Sequence, residues 1–514
     1  MEANVSSIQL ARDSDVPIYR QLHAELAALI RSGRIAPGER LPSVRELARE
    51  LAVSLITVVQ AYQVLAADGL VQATVGRGTF AVIPATPAAA GNVSRETVHD
   101  QDALAWQSSL PVHLRAPRVA AMEALLKPAV RSNVIPLAGG IPDPTLFPVR
   151  ALGRLWHRAL AIEDPRFLQY GSPQGDQNLR GWVADHCGAL GITARPEDVL
   201  ITSGSQQAID LVTRTLVAPG DHVLVESPTF LTALDILEGR GAKVIGVPVD
   251  ADGMRVDLAA SLIDRFQPRL IYTVPTAQNP TGTVMSDERR RRLVAMARQH
   301  NLLVLEDDSC SEFTYDNEPP PGIKAYDSGG HVLFARSFSK TVIPGLRVGC
   351  VVGQGPLMAR LIEAKLVMDR FTSPLIQRTL WRYLSSKQYA RDLRIATDTY
   401  RRRRDTVLRV LEASMPPGIE WTRPAAGFNL WITLPAEIPA REAFAEALKE
   451  GVACGLGDLF LPHTPPPSGL RLSFADKSED ILTEGIRRLS VALRRLMAGR
   501  AVPAPDQSEY MTTV

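Results

Sequence analysis

Lys340 stands in the run S-F-S-K-T-V-I-P-G-L-R, Ser337 to Arg347, directly after the apolar segment Val332-Leu333-Phe334. A strand-end lysine between hydroxyls, with an arginine close behind, suits one chemistry well: its amine can join an aldehyde cofactor. Ser337, Ser339 and Arg347 surround it with hydroxyl and guanidinium donors that match phosphate oxygens. An amine nucleophile beside phosphate donors points to pyridoxal 5'-phosphate.

That cofactor needs four more partners. Its pyridine nitrogen needs a carboxylate, so that the ring stays protonated and draws electrons. Asp307 follows the apolar run Leu302 to Leu305, as at the C-terminal edge of a buried strand. Asp308 is the neighbouring alternative, and side-chain alternation lets only one of the two face the ring. Asn279, in Q-N-P-T-G after a strand from Leu270 to Val274, offers a neutral donor to the ring oxygen, although N-P-T-G is equally a turn. Ser203-Gly204-Ser205 lies between a strand ending at Thr202 and a helix from Gln206 to Leu216. A helix N-terminus of this kind binds phosphate, while serines also cap ordinary helices. Phe230, in E-S-P-T-F after the strand Val223 to Val225, presents an aromatic face.

Residues from about 134 to 497 resemble the fold-type I, aspartate-aminotransferase-like enzymes, an α/β class. The matching segments are Y-G-S-P-Q-G-D-Q-N-L-R from Tyr170, S-G-S-Q-Q-A from Ser203, N-P-T-G from Asn279, E-D-D from Glu306, S-F-S-K from Ser337 and L-R-L-S-F-A from Leu470. The resemblance implies that Lys340 carries the cofactor, with Asp307 at the pyridine nitrogen and Asn279 at the ring oxygen. It implies Arg471 as a clamp for a substrate carboxylate, a task for a planar guanidinium. It also implies that Tyr170 reaches the phosphate in a neighbouring subunit, and hence a homodimer. Two positions depart from the pattern. Ser309 stands where relatives carry tyrosine, which weakens the donor to the ring oxygen. Phe230 stands where relatives often have tyrosine, so stacking survives and the hydroxyl contact does not.

Residues 16–84 read differently. An amphipathic helix from Ile18 to Ile30, a second from Val44 to Leu51 capped by Ser43, and a third from Ser54 through Ala67 precede two short strands, Leu70 to Thr74 and Gly78 to Val82. Three helices and a β-ribbon make a winged helix-turn-helix, whose third helix enters the DNA major groove. The run A-P-G-E-R-L-P-S-V-R-E-L-A from Ala36 resembles the GntR family's DNA-binding domain. Candidate contacts are Arg40, Ser43, Arg45, Arg49 and Arg77 toward the backbone, and Ser54, Thr57 and Gln60 on the third helix. Leu55 stands where relatives often place arginine.

These readings give five segments: a tail (1–15), the winged helix-turn-helix (16–84), a linker (85–131), the aminotransferase-like domain (132–498) and a second tail (499–514). The linker begins in low-complexity sequence, and a docking helix is expected later, over Ala120 to Leu126, with Trp106 and Leu110 near it. The net charge of +2 gives no global pull toward nucleic acid, so DNA affinity must come from where the arginines sit. The runs Arg289 to Arg292 and Arg401 to Arg404 read as solvated helix faces. Four scattered cysteines fit a reducing compartment and show no metal-ligand spacing. No signal-peptide core and no apolar run of about 18 residues is present, so a cytoplasmic protein without a membrane partner is expected.

A DNA reader ahead of an aminotransferase-like domain resembles the MocR subgroup of GntR regulators. That implies a transcriptional regulator that binds an operator in double-stranded DNA and senses an amino-acid-like effector through an aldimine at Lys340. The alternative is a working aminotransferase with an attached DNA-binding domain.

Overall fold

Separate hydrophobic cores divide the chain into two units, residues 1–108 and 109–514. The structure, a computed structural model, describes residues 8, 17–31, 34–36, 39–67, 70–74, 78–81, 116–131, 134–162, 165–316, 318, 320–462 and 469–498.

In the first unit, α1 (Ile18–Arg31) buries Leu22, Leu26 and Ile30 against the other helices. Ser43 caps α2 (Val44–Glu50) in a reciprocal capping box: its hydroxyl accepts from the Glu46 amide at 3.3 Å, and Glu46 accepts from the Ser43 amide at 2.8 Å. Ser54 starts α3 (Leu55–Ala67), accepting from the Thr57 amide at 3.1 Å. Val58, Ala61, Tyr62 and Leu65 turn α3 toward the core, and the Tyr62 hydroxyl donates to Pro42 O at 2.7 Å. Strands β1 (Val71–Thr74) and β2 (Gly78–Ala81) pair antiparallel, Val71 opposite Ala81. The helix-turn-helix with its wing is as expected. Arg77, in the turn between these strands, lies outside the described residues, as do Trp106, Leu110, the low-complexity part of the linker and both tails apart from Ile8.

The first helix among the described residues of the second unit is α4 (Pro117–Arg131), the helix expected in the linker. Arg118 holds it to the body through a bidentate pair with Glu238, at 2.5 and 2.9 Å, and the Val119 amide donates to Asp235 Oδ2 at 3.0 Å. Met122 buries against Leu231, Trp431 and Phe460. The short strand β3 (Ile135–Pro136) follows.

The main sheet is built from nearly all-apolar segments, the pattern of strands buried on both faces. Its members are β4 (Val199–Thr202), β5 (His222–Ser227), β6 (Lys243–Asp250), β7 (Gly253–Met254), β8 (Leu270–Thr273), β9 (Leu303–Asp308), β10 (Val332–Ser337) and β11 (Gly349–Val352). Their order is β4-β11-β10-β9-β8-β5-β6-β7. Strands β6, β5, β8, β9 and β10 run parallel; β11 is antiparallel to both its neighbours, and β7 closes the far edge antiparallel to β6. A smaller subdomain carries β12 (Glu420–Trp421), β13 (Asn429–Thr433), β15 (Gly455–Leu456) and β16 (Gly469–Ser473) in one antiparallel sheet, while β14 (Val452–Ala453) pairs with β3. The helices Lys387–Ser414 and Glu479–Ala498 pack beside it. This is the expected α/β architecture.

The arginine runs are not simply solvated faces. Arg290 is fully buried, bonding Met285 O, Pro275 O and Thr276 Oγ1 at 2.8 to 3.0 Å. Arg404 is buried against Asp316, and Arg403 meets Asp143 at 2.6 Å. Carbonyls and carboxylates distant in sequence satisfy these guanidiniums, which is why local charge alone misreads them. Among the described residues no helix is long and apolar enough to cross a membrane.

Candidate functional site

Strands β8, β9 and β10 end side by side, and a cavity of about 300 Å³ opens at their C-terminal edge. In an open parallel sheet this is where ligands bind. Lys340, Asp307, Asn279, Phe230, Ser205, Ser309, Ser337, Ser339, Arg347 and Arg471 all line it. A larger cavity, about 890 Å³ and lined by Trp421, Arg423 and Asp250 among others, lies elsewhere and contains none of these groups.

Asp307 is at the cavity because β9 turns its side chain there. Its Oδ2 accepts the Tyr272 hydroxyl at 2.7 Å, and its Oδ1 is buried with no hydrogen-bond partner among the described residues. Burial pushes this carboxyl up to about 7, against the Tyr272 hydrogen bond, with Asp308 and Glu226 adding repulsion. Asp308 is engaged elsewhere: Arg336 pairs with it at 3.2 Å and Ser311 Oγ donates at 2.7 Å. Strand alternation thus decides between the two aspartates.

Lys340 Nζ donates to Gly140 O at 2.8 Å. Burial, with Arg471 and Arg347 facing the amine, holds it below the ordinary lysine range and favours the neutral, nucleophilic form. Burial also pushes the nearby Cys310 thiol up to about 12, so it stays protonated and serves as packing.

Ser205, Gln206, Ser337, Ser339 and Arg347 form the cradle's polar wall. The helix Ser205–Leu216 starts there behind Gly204, whose φ of +88° suits glycine. A Cβ on Gly204 would come within 2.7 Å of an Arg347 nitrogen, so the missing side chain is what admits the guanidinium. The Ser203 hydroxyl is not brought into the cavity: it donates to Asp369 Oδ2 at 3.1 Å, because the chain turns at Gly204.

Arg471, on β16, is buried. It donates to Asn279 Oδ1 at 3.1 Å and to Ala138 O, while its Nε has no partner among the described residues. Burial lowers its pKa to about 10, and no carboxylate offsets that. Asn429, on β13 beside it, leaves Oδ1 buried with no partner among the described residues. Asn279 lines the same cavity.

Tyr272, Gly140, Gln206, Asn429 and three side chains of α4 (Val119, Met122 and Glu123) are lining or supporting groups missed by the sequence reading. The one available signal was Tyr272, a phenol within the short strand β8. Tyr170 is 76% exposed and lies away from the cavity, against Phe371 and Arg370. In the first unit Arg40, Arg45, Arg49, Ser54 and Gln60 are exposed; the Ser43, Ser54 and Thr57 hydroxyls are engaged in helix starts. Among the described residues no cluster could hold a metal ion.

The donor set fits pyridoxal phosphate. An orphaned buried carboxylate oxygen matches a pyridinium, a depressed lysine matches an aldehyde, and a helix N-terminus with Arg347 matches a phosphate dianion.

Comparison with known proteins gives two matches. The aminotransferase class I and II family matches residues 133–489, and the bacterial regulatory proteins of the gntR family match residues 18–81. The chain is 35% identical to aromatic-amino-acid aminotransferase 1 of Thermococcus litoralis over 73% of its length and 91% of that protein. It is 31% identical to the uncharacterized HTH-type transcriptional regulator YisV of Bacillus subtilis over 96% of this chain and 99% of that one. Among solved structures, LysN, the alpha-aminoadipate aminotransferase of Thermus thermophilus complexed with N-(5'-phosphopyridoxyl)-L-leucine, superposes with a TM-score of 0.70 at 32% identity. It covers 77% of this chain and all of that one.

Proposed function

The chain belongs to the aminotransferase class I and II family, carries a gntR-family DNA-binding region ahead of it in the MocR arrangement, and has pyridoxal 5'-phosphate as cofactor; from that premise we propose that its aminotransferase fold serves as a sensor of an amino compound. Pyridoxal phosphate, when bound, supplies an aldehyde for amines and an electron-drawing ring. Lys340 presents the amine that would hold that aldehyde, its pKa lowered by burial. Asp307 Oδ1 would accept a hydrogen bond from the protonated ring nitrogen, and Tyr272 fixes the carboxylate's orientation. Ser205, Ser337, Ser339 and Arg347 take the phosphate, Phe230 covers the ring, and Asn279 donates to the ring oxygen beside Ser309. Arg471 clamps a carboxylate on the effector. Tyr170 completes the phosphate site of a second subunit, which makes the protein a homodimer, acting in the cytoplasm where its operator lies.

The observation that carries the sensor reading is the lining contributed by Val119, Met122 and Glu123. These belong to α4, the first helix among the described residues after the N-terminal unit. A ligand that fills the cavity touches the segment leading to the DNA reader. Differential contact with two states of such a segment is what allosteric coupling requires. The second reading, a turning-over aminotransferase, is favoured by the convergence of Lys340, Asp307, Asn279 and Arg471 on one cavity. Incubating the purified protein with pyridoxal phosphate and a panel of amino acids separates the two. A sensor gives one stoichiometric spectral change with altered DNA binding; an enzyme accumulates 2-oxo acid continuously.

A further inference from the structure

Helix α3 is the second helix of the helix-turn-helix, and its outward face is apolar where a DNA reader usually places charge. Leu55 is 51% exposed, Ile56 70% and Val59 39%. Gln60 and Gln63 are exposed beside them. At about 100° per residue these five positions fall on one face roughly 140° wide, opposite Val58, Ala61, Tyr62 and Leu65 in the core. No residue of α3 carries a charge. Single exposed apolar residues need no explanation, but three adjacent ones on one face mark a contact surface. Arg45 and Arg49 of α2 stand exposed one element away, as phosphate contacts for a helix lying in the major groove.

We infer that Leu55, Ile56 and Val59 read thymine methyl groups in the major groove and that Gln60 and Gln63 read adenine, so each half-site is centred on A·T pairs. The chemistry follows from what the base edges offer. Thymine alone presents a methyl group there, and apolar side chains are its partners; glutamine matches the N6 and N7 edge of adenine; guanine is read by arginine or lysine, which α3 lacks. The inference rests on DNA reading by residues 18–81 and adds the base preference, which the family match does not supply.

The test uses the full-length protein and a library of duplexes with a randomised centre, selected with and without pyridoxal phosphate. The enriched half-sites should centre on A·T pairs. Each thymine of the best sequence is then replaced by deoxyuracil, which removes only the methyl. At two or more positions affinity should fall roughly fourfold, the worth of one buried methyl. The double variant Leu55→Ala, Ile56→Ala should lose that thymine-over-uracil discrimination while keeping the parent's salt dependence; these side chains lie on the surface, so the fold stands. Half-sites centred on G·C, or A·T half-sites with no uracil-sensitive position, would overturn the methyl readout while leaving DNA binding intact. Enrichment of no sequence at all would instead overturn the DNA-reading premise, and the inference with it.

Discussion

Tyr272 and Asp307 sit on adjacent parallel strands, and the phenol donates to one carboxylate oxygen at 2.7 Å while the other has no partner among the described residues. The pair is asymmetric by construction. One oxygen fixes the carboxylate's orientation and the other remains for a protonated ring nitrogen. Removing the carboxylate should therefore cost a charge-assisted hydrogen bond, about 1.5–3 kcal/mol. Asp307→Ala should weaken pyridoxal phosphate binding roughly 10- to 150-fold by equilibrium titration. Tyr272→Phe should weaken it less, since it loosens the carboxylate without removing it.

The same carboxyl predicts a pH effect in the cofactor-free protein. Its pKa is about 7 when folded, against 3.8 normally. Well below pH 3.8 it is protonated in both states and costs nothing. As pH rises to 7 the unfolded chain ionises first, so stability falls across this window, by on the order of 4 kcal/mol. Thermal unfolding of Asp307→Asn, compared with the parent at pH 5 and pH 7.5, should show the parent losing more stability than the variant. Saturating pyridoxal phosphate should abolish the difference in slope, because the ring nitrogen then pairs the charge.

Gly204→Ala addresses the phosphate cradle. The residue has φ +88° and ψ 167°, a region nearly reserved for glycine, and its Cβ would crowd Arg347 at 2.7 Å. Backbone strain of about 1–3 kcal/mol and a displaced Arg347 should together lower cofactor affinity at least tenfold. Borohydride should still fix whatever cofactor binds to Lys340, which peptide mapping reads directly.

Much of this site was legible in the sequence because strand ends and short motifs mark it: Lys340 behind β10, Asp307 on β9 and Asn279 behind β8 were all placed by local pattern. What was not legible depends on partners far along the chain. The Tyr272 contact to Asp307 spans 35 residues and the Lys340 contact to Gly140 spans 200. Ser203 was expected in the cradle because nothing local shows Asp369, 166 residues on, accepting its hydroxyl. The residues alone left Asp307 and Asp308 open, because nothing local shows Arg336, 28 residues away, engaging Asp308. Helix α3 was placed well, but the exposure of Leu55 and Ile56 follows only from which of its faces the core of α1 and α2 occupies.

Arg471 predicts the effector's chemistry. Replacement by alanine should remove the response to amino acids and leave cofactor binding near the parent's value. Replacement by lysine should not restore it, because a point charge cannot reproduce a bidentate grip. Equal response of the parent protein to simple amines without an acid group would contradict the clamp.

Arg45→Ala should weaken DNA binding evenly across sequences and lower the slope of log affinity against log salt by about one. An unchanged slope removes Arg45 from the interface.

The central claim is that the cavity around Lys340 governs DNA binding. Operator affinity should be measured for the parent and for Lys340→Ala, with and without pyridoxal phosphate and an amino acid to which the parent responds. Typical coupling of about 1–3 kcal/mol predicts a 5- to 150-fold ligand-dependent change in the parent. The variant should bind the operator as the unliganded parent does and show little or no change on adding ligand. A variant that responds as the parent does would contradict the account and leave the aminotransferase reading in its place.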